Sequence, residues 1–242
     1  MPDFLERSEL LIGAETVAHL KSRHVYIAGI GGVGSYVAEA LARAGIGRMT
    51  IHDADSVSHS NINRQLIALH STVGRLKTEI MKERILDINP DCEVITRNSF
   101  MRVEEMDRYL QEPFDAVVDA IDVLNCKLAF LTLAYRKGYR IYASMGAGNK
   151  TDPTTVTSGD LFDSRNCRLA KVLRKKLRQA DIREGIQAVW SREVRQAVHM
   201  PVEESEFERL PQGTISTIPA LFGIMLAGLV IKDMIDEKRD SQ

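Results

Sequence analysis

The sequence predicts an α/β fold in which helices cover both faces of a mainly parallel sheet, and three observations support this. Short apolar runs alternate with longer amphipathic runs from residue 24 to residue 148. A glycine-rich turn, residues 29–34, separates the first apolar run from the first amphipathic one. The chain has 242 residues, of which 27% are charged and 44% hydrophobic, as in an ordinary globular protein. Together these features indicate a Rossmann-like, doubly wound fold.

The apolar runs are expected to form buried parallel strands and the runs between them helices. Because strands and helices alternate, the connections are expected to be right-handed crossovers. The helix over 71–90 has a Ser-Thr start and an Asn-Pro stop, which are typical helix boundaries. The predicted strands cover 24–30, 48–55, 92–99, 114–122 and 140–148. The predicted helices cover 33–45, 71–90, 103–111 and 124–138.

The composition changes after residue 148, which predicts a C-terminal extension, 149–242, on a nucleotide-binding core of about 13–148. We expect both parts to form a single domain, 1–242. The extension opens with a turn and a polar strand. Residues 164–195 hold ten lysines and arginines against three acidic residues, which predicts a basic helix. The acidic run that follows, 202–210, is predicted as a solvated loop.

Near the C-terminus, residues 214–231 carry no charge, and the run is close in length to a membrane span. Pro219, Gly223 and Gly228 interrupt it. A doubly wound fold also needs helices that are buried nearly all round. We therefore expect a buried apolar core helix here, without membrane contact.

The composition excludes several classes of protein. A net charge of −1 is not that of a polyanion or a general nucleic-acid binder. The three cysteines, Cys92, Cys126 and Cys167, are widely spaced and form no CxxC pair, so neither a zinc site nor a disulfide framework is expected. Free cysteines, and an N-terminus too charged for a signal peptide, favour the reducing cytoplasm.

Gly29, Gly31 and Gly34 form a G-x-G-x-x-G motif between a predicted strand and a predicted helix. Such a turn brings the backbone close to a phosphate, which then faces the positive end of the helix. Asp53 lies 19 residues beyond Gly34 at the end of the second strand, where a carboxylate can accept both ribose hydroxyls. These features fit an ATP-binding protein and a nicotinamide dehydrogenase equally well.

The segment after Asp53 favours ATP, because it offers more phosphate ligands than a nicotinamide enzyme needs. Arg64 can form paired hydrogen bonds to phosphate oxygens, and Asn61 can donate another. Lys77, early in the next helix, adds a point charge. Asp122 ends a strand at the ligand-binding edge of the sheet, where a lone carboxylate can hold magnesium beside the phosphates.

The chain resembles the adenylating core of the ubiquitin-activating-enzyme superfamily, which includes activators of sulfur-carrier proteins. The matching motifs are GIGGVGS, HDADSVSHSNINRQ, TVGRLKTE and VVDAID, within residues 4–148. The resemblance implies that ATP reacts with a carboxylate to give an acyl adenylate and pyrophosphate. It further implies a homodimer, since Arg7 matches an arginine that the family sends into the partner's site. The catalytic residues implied are Arg64, Lys77, Asp122 and, in trans, Arg7. The ATP ligands implied are Gly29, Gly31, Gly34, Asp53, Asn61, Arg64 and Lys77, with magnesium on Asp122.

The second half resembles one branch of that superfamily, the tRNA threonylcarbamoyladenosine dehydratases. The similar segments are SMGAGNKTDPT, LAKVLRKKLR, VWS, GTISTIPALFG and GLVIKDM. The resemblance implies activation of the threonylcarbamoyl carboxylate, which then closes onto the neighbouring carbamoyl group with net loss of water. Intramolecular ring closure needs no protein nucleophile, which agrees with the lack of an obvious acyl-accepting cysteine. The basic helix would then contact tRNA through Arg168, Lys171, Arg174, Lys175 and Arg178.

Two other functions stay open at this point. One is activation of a sulfur-carrier or ubiquitin-like protein tail, against which the missing zinc cysteines and the basic second half argue. The other is a nicotinamide-binding protein, against which Asn61, Arg64, Lys77 and Asp122 argue. The sequence does not decide whether a sulfur-transfer protein is a partner.

Overall fold

The computed structural model describes residues 4–194 and 213–240, in which eight α-helices and seven strands occur. The strands are β1 (His24–Ala28), β2 (Arg48–His52), β3 (Glu93–Arg97), β4 (Ala116–Asp119), β5 (Ile141–Ser144), β6 (Val156–Asp160) and β7 (Ile186–Ser191). The helices are α1 (Glu6–Ile12), α2 (Ala14–Lys21), α3 (Gly34–Arg43), α4 (Lys77–Ile88), α5 (Met106–Tyr109), α6 (Leu124–Arg136), α7 (Arg168–Gln179) and α8 (Thr217–Asp240).

These strands form one sheet in the order β3-β2-β1-β4-β5-β7-β6. The pairs from β3 through β7 are all parallel, whereas β6 runs antiparallel to β7 at the edge. The predicted mainly parallel, doubly wound sheet is therefore confirmed. The strand order reverses between β1 and β4, so the connections that leave these strands diverge to opposite faces. Such a switch point opens a crevice at the carboxyl ends of the strands.

Each face of the sheet carries its own hydrophobic core, because successive residues of a strand point to opposite faces. Val25 and Ile27 of β1 belong to one core, which contains Phe222 of α8. Tyr26, between them, belongs to the other core, which contains Phe130 of α6. Every residue of β1 is buried, which explains why this strand has a continuous apolar sequence rather than an alternating one.

The apolar run near the C-terminus forms α8, and one face of this helix lies in the core. Gly223 allows the close approach to α3, since a side-chain carbon there would come within 2.5 Å of the Val33 carbonyl oxygen. By length and composition α8 could cross a membrane, but 44% of its most apolar window is buried inside the protein. The opposite face is more open, with Ile224 47% exposed. The core-helix prediction therefore holds for the inner face.

The predicted basic helix forms within the basic stretch 164–195 and occupies only part of it. The helix α7 ends at Gln179, and Asp181 and Gly185 adopt positive φ angles of 61° and 88°. The chain then enters β7, which pairs with β5 inside the sheet. The acidic run 202–210 lies outside the described residues.

Several predicted boundaries also differ from the structure. The helix predicted from residue 71 begins at Lys77, after a short 3-10 turn and Gly74, whose φ is 88°. The strand predicted over 48–55 ends at His52, where the chain turns into the cavity wall described below. The sequence analysis also missed α1 and α2, which precede β1.

Candidate functional site

A cavity of about 680 Å³ lies at the carboxyl ends of the strands, at the switch point. Its volume suits a nucleotide-sized ligand. The wall comes from segments that follow β1, β2, β3, β4 and β5 in turn, together with the segment around Arg64. Residues far apart in the sequence therefore meet here because parallel strands all end at the same edge.

The glycine-rich turn forms the floor of the cavity. A side-chain carbon at Gly34 would lie 1.8 Å from the Gly29 carbonyl oxygen, so helix and strand could not pack as they do. Gly29 has a φ of 91°, and a side-chain carbon there would lie 2.8 Å from the Ala120 carbonyl oxygen. Gly29 and Gly31 line the cavity, whereas Gly34 is buried beneath it.

Residues at or near the N-termini of five helices line this cavity. Unpaired N–H groups and the aligned peptide dipoles make such ends attractive to anions. The lining residues at or beside these ends are Val33 for α3, Lys77 for α4, Val123 for α6, Leu169 for α7 and Pro219 for α8. The cavity is thus suited to a ligand that carries several negative charges.

Asp53 projects from the end of β2 and is held by backbone groups. One carboxylate oxygen accepts from the Ile30 N–H at 2.7 Å, and the other accepts from the Asp55 N–H at 2.8 Å. Burial raises the pKa of the Asp53 carboxyl, while the nearby Lys77 ammonium and these two N–H groups oppose the rise. Each carboxylate oxygen has a second acceptor position, so the group can also accept from ribose hydroxyls.

The predicted phosphate ligands line the same cavity as Asp53. Lys77 is 5% exposed, and its Nζ lies 2.7 Å from Asp55 Oδ2. Arg64 donates to the Ser60 carbonyl oxygen at 2.7 Å, which orients its guanidinium. Asn61 also lines the cavity. The structure therefore brings together these side chains, which the sequence analysis grouped from their order along the chain.

Asp122 follows β4 and is exposed at the cavity wall. Within residues 4–194 and 213–240, no three His, Cys, Asp or Glu side chains cluster as a metal site. A lone carboxylate still fits magnesium, which is commonly held by one or two carboxylates together with substrate phosphates and water. Behind Asp122, the buried Lys127 Nζ lies 2.7 Å from Asp119 Oδ2 and ties the two neighbouring segments together.

The sequence matches the ThiF family model over residues 5–242. The chain belongs to the ThiF family.

Within the ThiF family, the chain is similar to tRNA threonylcarbamoyladenosine dehydratase of Bacillus subtilis, with 38% identity across 96% of this chain and 94% of that relative. It is 39% identical to the Escherichia coli enzyme of the same name, over 69% of this chain and 63% of that one. A crystal structure of the Escherichia coli enzyme, TcdA, in complex with ATP matches with a TM-score of 0.88. That match has 32% identity and covers 98% of this chain and 95% of the other.

The ThiF-family core carries the basic helix α7 beside the cavity, since Leu169 in its first turn lines the wall. Arg174 donates to the Ser164 carbonyl oxygen at 2.7 Å and is half-buried, so it also holds the fold together. Trp190 is 6% exposed within β7, and the Arg178 guanidinium lies 5.3 Å from the centre of the Phe162 ring. The predicted tRNA-binding residues that are exposed on α7 are Arg168, Lys171, Lys175 and Arg178.

The predicted catalytic residue Arg7 lies outside the cavity wall, and so does Cys167. Arg7 is exposed on α1, close in sequence to Leu10 and Leu11, which are 79% and 82% exposed. Cys167 caps the N-terminus of α7, where its Sγ accepts from the Ala170 N–H at 3.5 Å. All three cysteines are buried.

The sequence analysis gave no role to two polar residues of the wall. Gln65 is 7% exposed, and its Oε1 is buried without a hydrogen-bond partner in the described part of the chain. His52 lines the cavity immediately before Asp53. Gln65 could have been found from the sequence, because it lies in the same polar segment as Arg64. His52 could not, because the sequence places it within a predicted strand.

Proposed function

We propose that this protein is an ATP-dependent dehydratase that acts on threonylcarbamoyladenosine in tRNA. The observation that carries the proposal is the cavity itself, which is lined by the carboxylates of Asp53 and Asp122 and by the cationic side chains of Arg64 and Lys77. The similarity to an ATP-bound dehydratase over nearly the whole chain supports the same activity. The name of the Bacillus subtilis relative supports tRNA as the substrate.

In the proposed reaction, Asp53 holds the ribose of ATP, and Asn61, Arg64 and Lys77 hold its phosphates. The threonyl carboxylate attacks the α-phosphorus, the bond to the bridging oxygen breaks, and pyrophosphate leaves. The cationic side chains stabilise the negative charge that develops on the leaving group. Asp122 would hold magnesium, which neutralises phosphate charge when bound.

Ring closure follows without a protein nucleophile. The neighbouring carbamoyl group attacks the activated carbonyl carbon, AMP leaves, and a carbamoyl proton is lost, so that the net change is the removal of water. The reacting groups belong to one molecule, which gives a high effective concentration. The burial of all three cysteines agrees with a route that needs no thioester.

A homodimer would complete the site, with Arg7 reaching the cavity of the partner subunit. Two surfaces on this chain support a second copy. The helix α1 buries none of its residues and leaves Leu10 and Leu11 open to solvent. The outer face of α8 exposes a further apolar side chain, Ile224. We place the activity in the cytoplasm, where tRNA is modified.

The decisive experiment combines the protein with ATP, magnesium and bulk tRNA, and then weighs the nucleosides after digestion. Threonylcarbamoyladenosine is expected to lose the mass of one water, with AMP formed in equal amount. A Lys77→Ala preparation is the negative control. AMP formation only with a carrier protein that ends in Gly-Gly would instead support a sulfur-carrier activator. Binding of a reduced nicotinamide without ATP turnover would contradict any adenylating function.

Charge reversal on α7 is expected to weaken tRNA use without affecting ATP. Lys171→Glu with Lys175→Glu removes two exposed positive charges and adds two negative ones, so KM for tRNA should rise by about tenfold or more. The salt dependence of tRNA binding should also become shallower. Filter binding at several salt concentrations and steady-state kinetics measure both effects.

The matched control is Lys82→Glu with Arg136→Glu, which makes the same change of charge on α4 and at the end of α6. Neither residue lines the cavity. If both pairs raise KM for tRNA equally, only overall charge matters, and α7 is not the tRNA-binding surface. ATP affinity is expected to stay within about twofold in either pair, because no cavity residue is changed.

A further inference from the structure

A buried histidine in the cavity wall has no part in the reaction described above. His52 is the last residue of β2 and is 1% exposed. Its ring lies between Tyr26 of β1 and Ser99, which follows β3. A chain of hydrogen bonds therefore crosses three neighbouring strands at the cavity edge.

The partners of His52 determine which ring nitrogen carries the proton. Nε2 lies 2.9 Å from the Ser99 carbonyl oxygen, which can only accept, so Nε2 must be the N–H donor. Burial lowers the pKa of the His52 imidazole to about 4, and the ring is neutral near neutral pH. Nδ1 is then an acceptor, and the Tyr26 hydroxyl donates to it at 2.6 Å.

The Ser99 carbonyl belongs to a segment that has no helix or strand hydrogen bonding to hold it in place. Ser99, Phe100 and Met101 line the cavity, and Phe100 is 58% exposed. Side chains supply the missing restraint. His52 donates to the Ser99 carbonyl oxygen, and Cys126 Sγ donates to that of Met101 at 3.1 Å. The position of this wall thus depends on side chains that come from other elements.

This wall lies where the base of a nucleotide must bind, given the proposed function on which this step rests. Asp53 takes the ribose, and Arg64 and Lys77 take the phosphates, which leaves two parts of the cavity. The part lined by 144–148 and Leu169 adjoins the basic helix α7 and is left for the tRNA substrate, so the base occupies the part bounded by Ser99–Met101, with Cys126 and Val123. Apolar side chains and backbone polar groups together suit a flat, uncharged base.

We propose that His52 is a positioning residue for ATP, which holds the Ser99–Met101 wall against the base through its hydrogen bond to the Ser99 carbonyl. Tyr26 is a second positioning residue, because its hydroxyl keeps the His52 imidazole in the required tautomer. His52 touches neither the phosphates nor the reacting carboxylate. Its loss therefore weakens binding of the base and leaves the chemical step intact.

The test compares ATP affinity and kinetics among variants of the full chain. His52→Phe keeps a ring of similar size but loses both hydrogen bonds, so Kd and KM for ATP should rise about tenfold while kcat stays within about threefold. His52→Gln retains a side-chain N–H donor and should recover most of the affinity. Tyr26→Phe removes the hydroxyl that donates to His52 Nδ1, so the tautomer with its proton on Nδ1 can also form. The Kd for ATP should therefore rise about threefold. Discrimination between ATP and GTP should fall in His52→Phe, because the base wall is no longer fixed.

His24→Phe is the matched control, because His24 is a buried histidine at the opposite edge of the sheet, 2.9 Å from the Thr50 hydroxyl. It should lower stability and leave KM for ATP unchanged. An unchanged ATP Kd in folded His52→Phe overturns the proposal, and so does a fall in kcat at constant KM. If that variant cannot be purified, an unchanged Kd in Tyr26→Phe overturns it. Failure of the wild-type protein to bind ATP would refute the proposed function instead.

Discussion

Replacing Lys77 by alanine is expected to slow AMP formation by about 10²–10³-fold, even at saturating ATP. Lys77 is 5% exposed, and in such a site a charge acts through a low local dielectric. Its contribution should be largest as pyrophosphate departs, so the loss should appear in kcat rather than in KM alone. Single-turnover measurement of AMP, with enzyme in excess over tRNA and with saturating ATP, isolates this step from product release.

The structure explains how a long, flexible side chain is held for that task. Lys77 is the first residue of α4, and its backbone N–H donates to the Asp55 carbonyl oxygen at 3.0 Å. The Asp55 carboxylate also pairs with the Lys77 ammonium, so Asp55 restrains both the backbone and the side-chain end of this lysine. Asp55→Asn should therefore cost less than Lys77→Ala, about tenfold, because the cation remains but is held less firmly.

Lys82→Ala is the matched control, since Lys82 lies on the same helix and does not line the cavity. It should form AMP at the wild-type rate. A Lys77→Ala protein that keeps more than about a tenth of the wild-type single-turnover rate would contradict a phosphate-binding role for this lysine.

Mixing two inactive variants extends this prediction to the dimer. If Arg7 acts in the partner's site, a heterodimer of Arg7→Ala and Lys77→Ala contains one site with both residues intact. Equal amounts that exchange subunits freely should recover about a quarter of the wild-type activity. No recovery, in a mixture shown to exchange, would place Arg7 in its own subunit's site or remove it from catalysis.

Much of the fold could be predicted because the parallel strands β1, β2, β4 and β5 are buried almost throughout, and their sequences are largely apolar. β7 was missed because its residues follow a strongly basic helix, and the high local charge hid a short strand over 186–191. The boundary depends on Asp181 and Gly185, whose positive φ angles stop the helix. The N-terminal helices α1 and α2 were missed because they have only seven and eight residues, and α1 buries none of its residues, so neither has a long apolar periodicity.

The site could be predicted in part because a simple rule applies to it. Polar residues just beyond parallel strands meet at one edge, which places Asp53 and Asp122 in one cavity. No comparable rule reveals His52, because its partner Tyr26 lies on another strand and its partner Ser99 lies in the segment after β3. The same holds for Arg174, whose contact with Ser164 depends on how α7 packs. Hydrogen bonds between distant segments leave no local pattern in the sequence.

Replacing Lys127 by methionine is expected to lower the free energy of unfolding by about 3–5 kcal/mol. Lys127 and Asp119 are both fully buried, and their charged atoms lie 2.7 Å apart. The Lys127 ammonium also donates to the Ile121 carbonyl oxygen at 3.2 Å, while an Asp119 oxygen accepts from the Ile121 N–H at 3.1 Å. Removing the lysine leaves the Asp119 carboxylate buried in the core without its counter-charge. Denaturant unfolding monitored by circular dichroism measures the loss.

The pH dependence of the stability of Lys127→Met distinguishes an uncompensated buried charge from a simple packing defect. Burial raises the pKa of the Asp119 carboxyl, and Lys127 opposes the rise. Without the lysine, the Asp119 carboxyl should be protonated in the folded protein at a pH at which the same carboxyl is ionised in the unfolded chain. The variant is then most stable at low pH, and its free energy of unfolding falls as the pH rises through the pKa that Asp119 has in the folded protein. Lys127→Met should therefore unfold more easily at pH 8 than at pH 5.

Two further variants complete the argument. Asp119→Asn in the Lys127→Met background removes the stranded charge and keeps an acceptor for the Ile121 N–H, so it should recover at least half of the lost stability. Lys137→Met, at the exposed end of the same helix, breaks only a surface pair with Asp107 and should change stability little. Equal losses in Lys127→Met and in the double variant, with no pH dependence, would mean that the ion pair contributes packing rather than charge compensation.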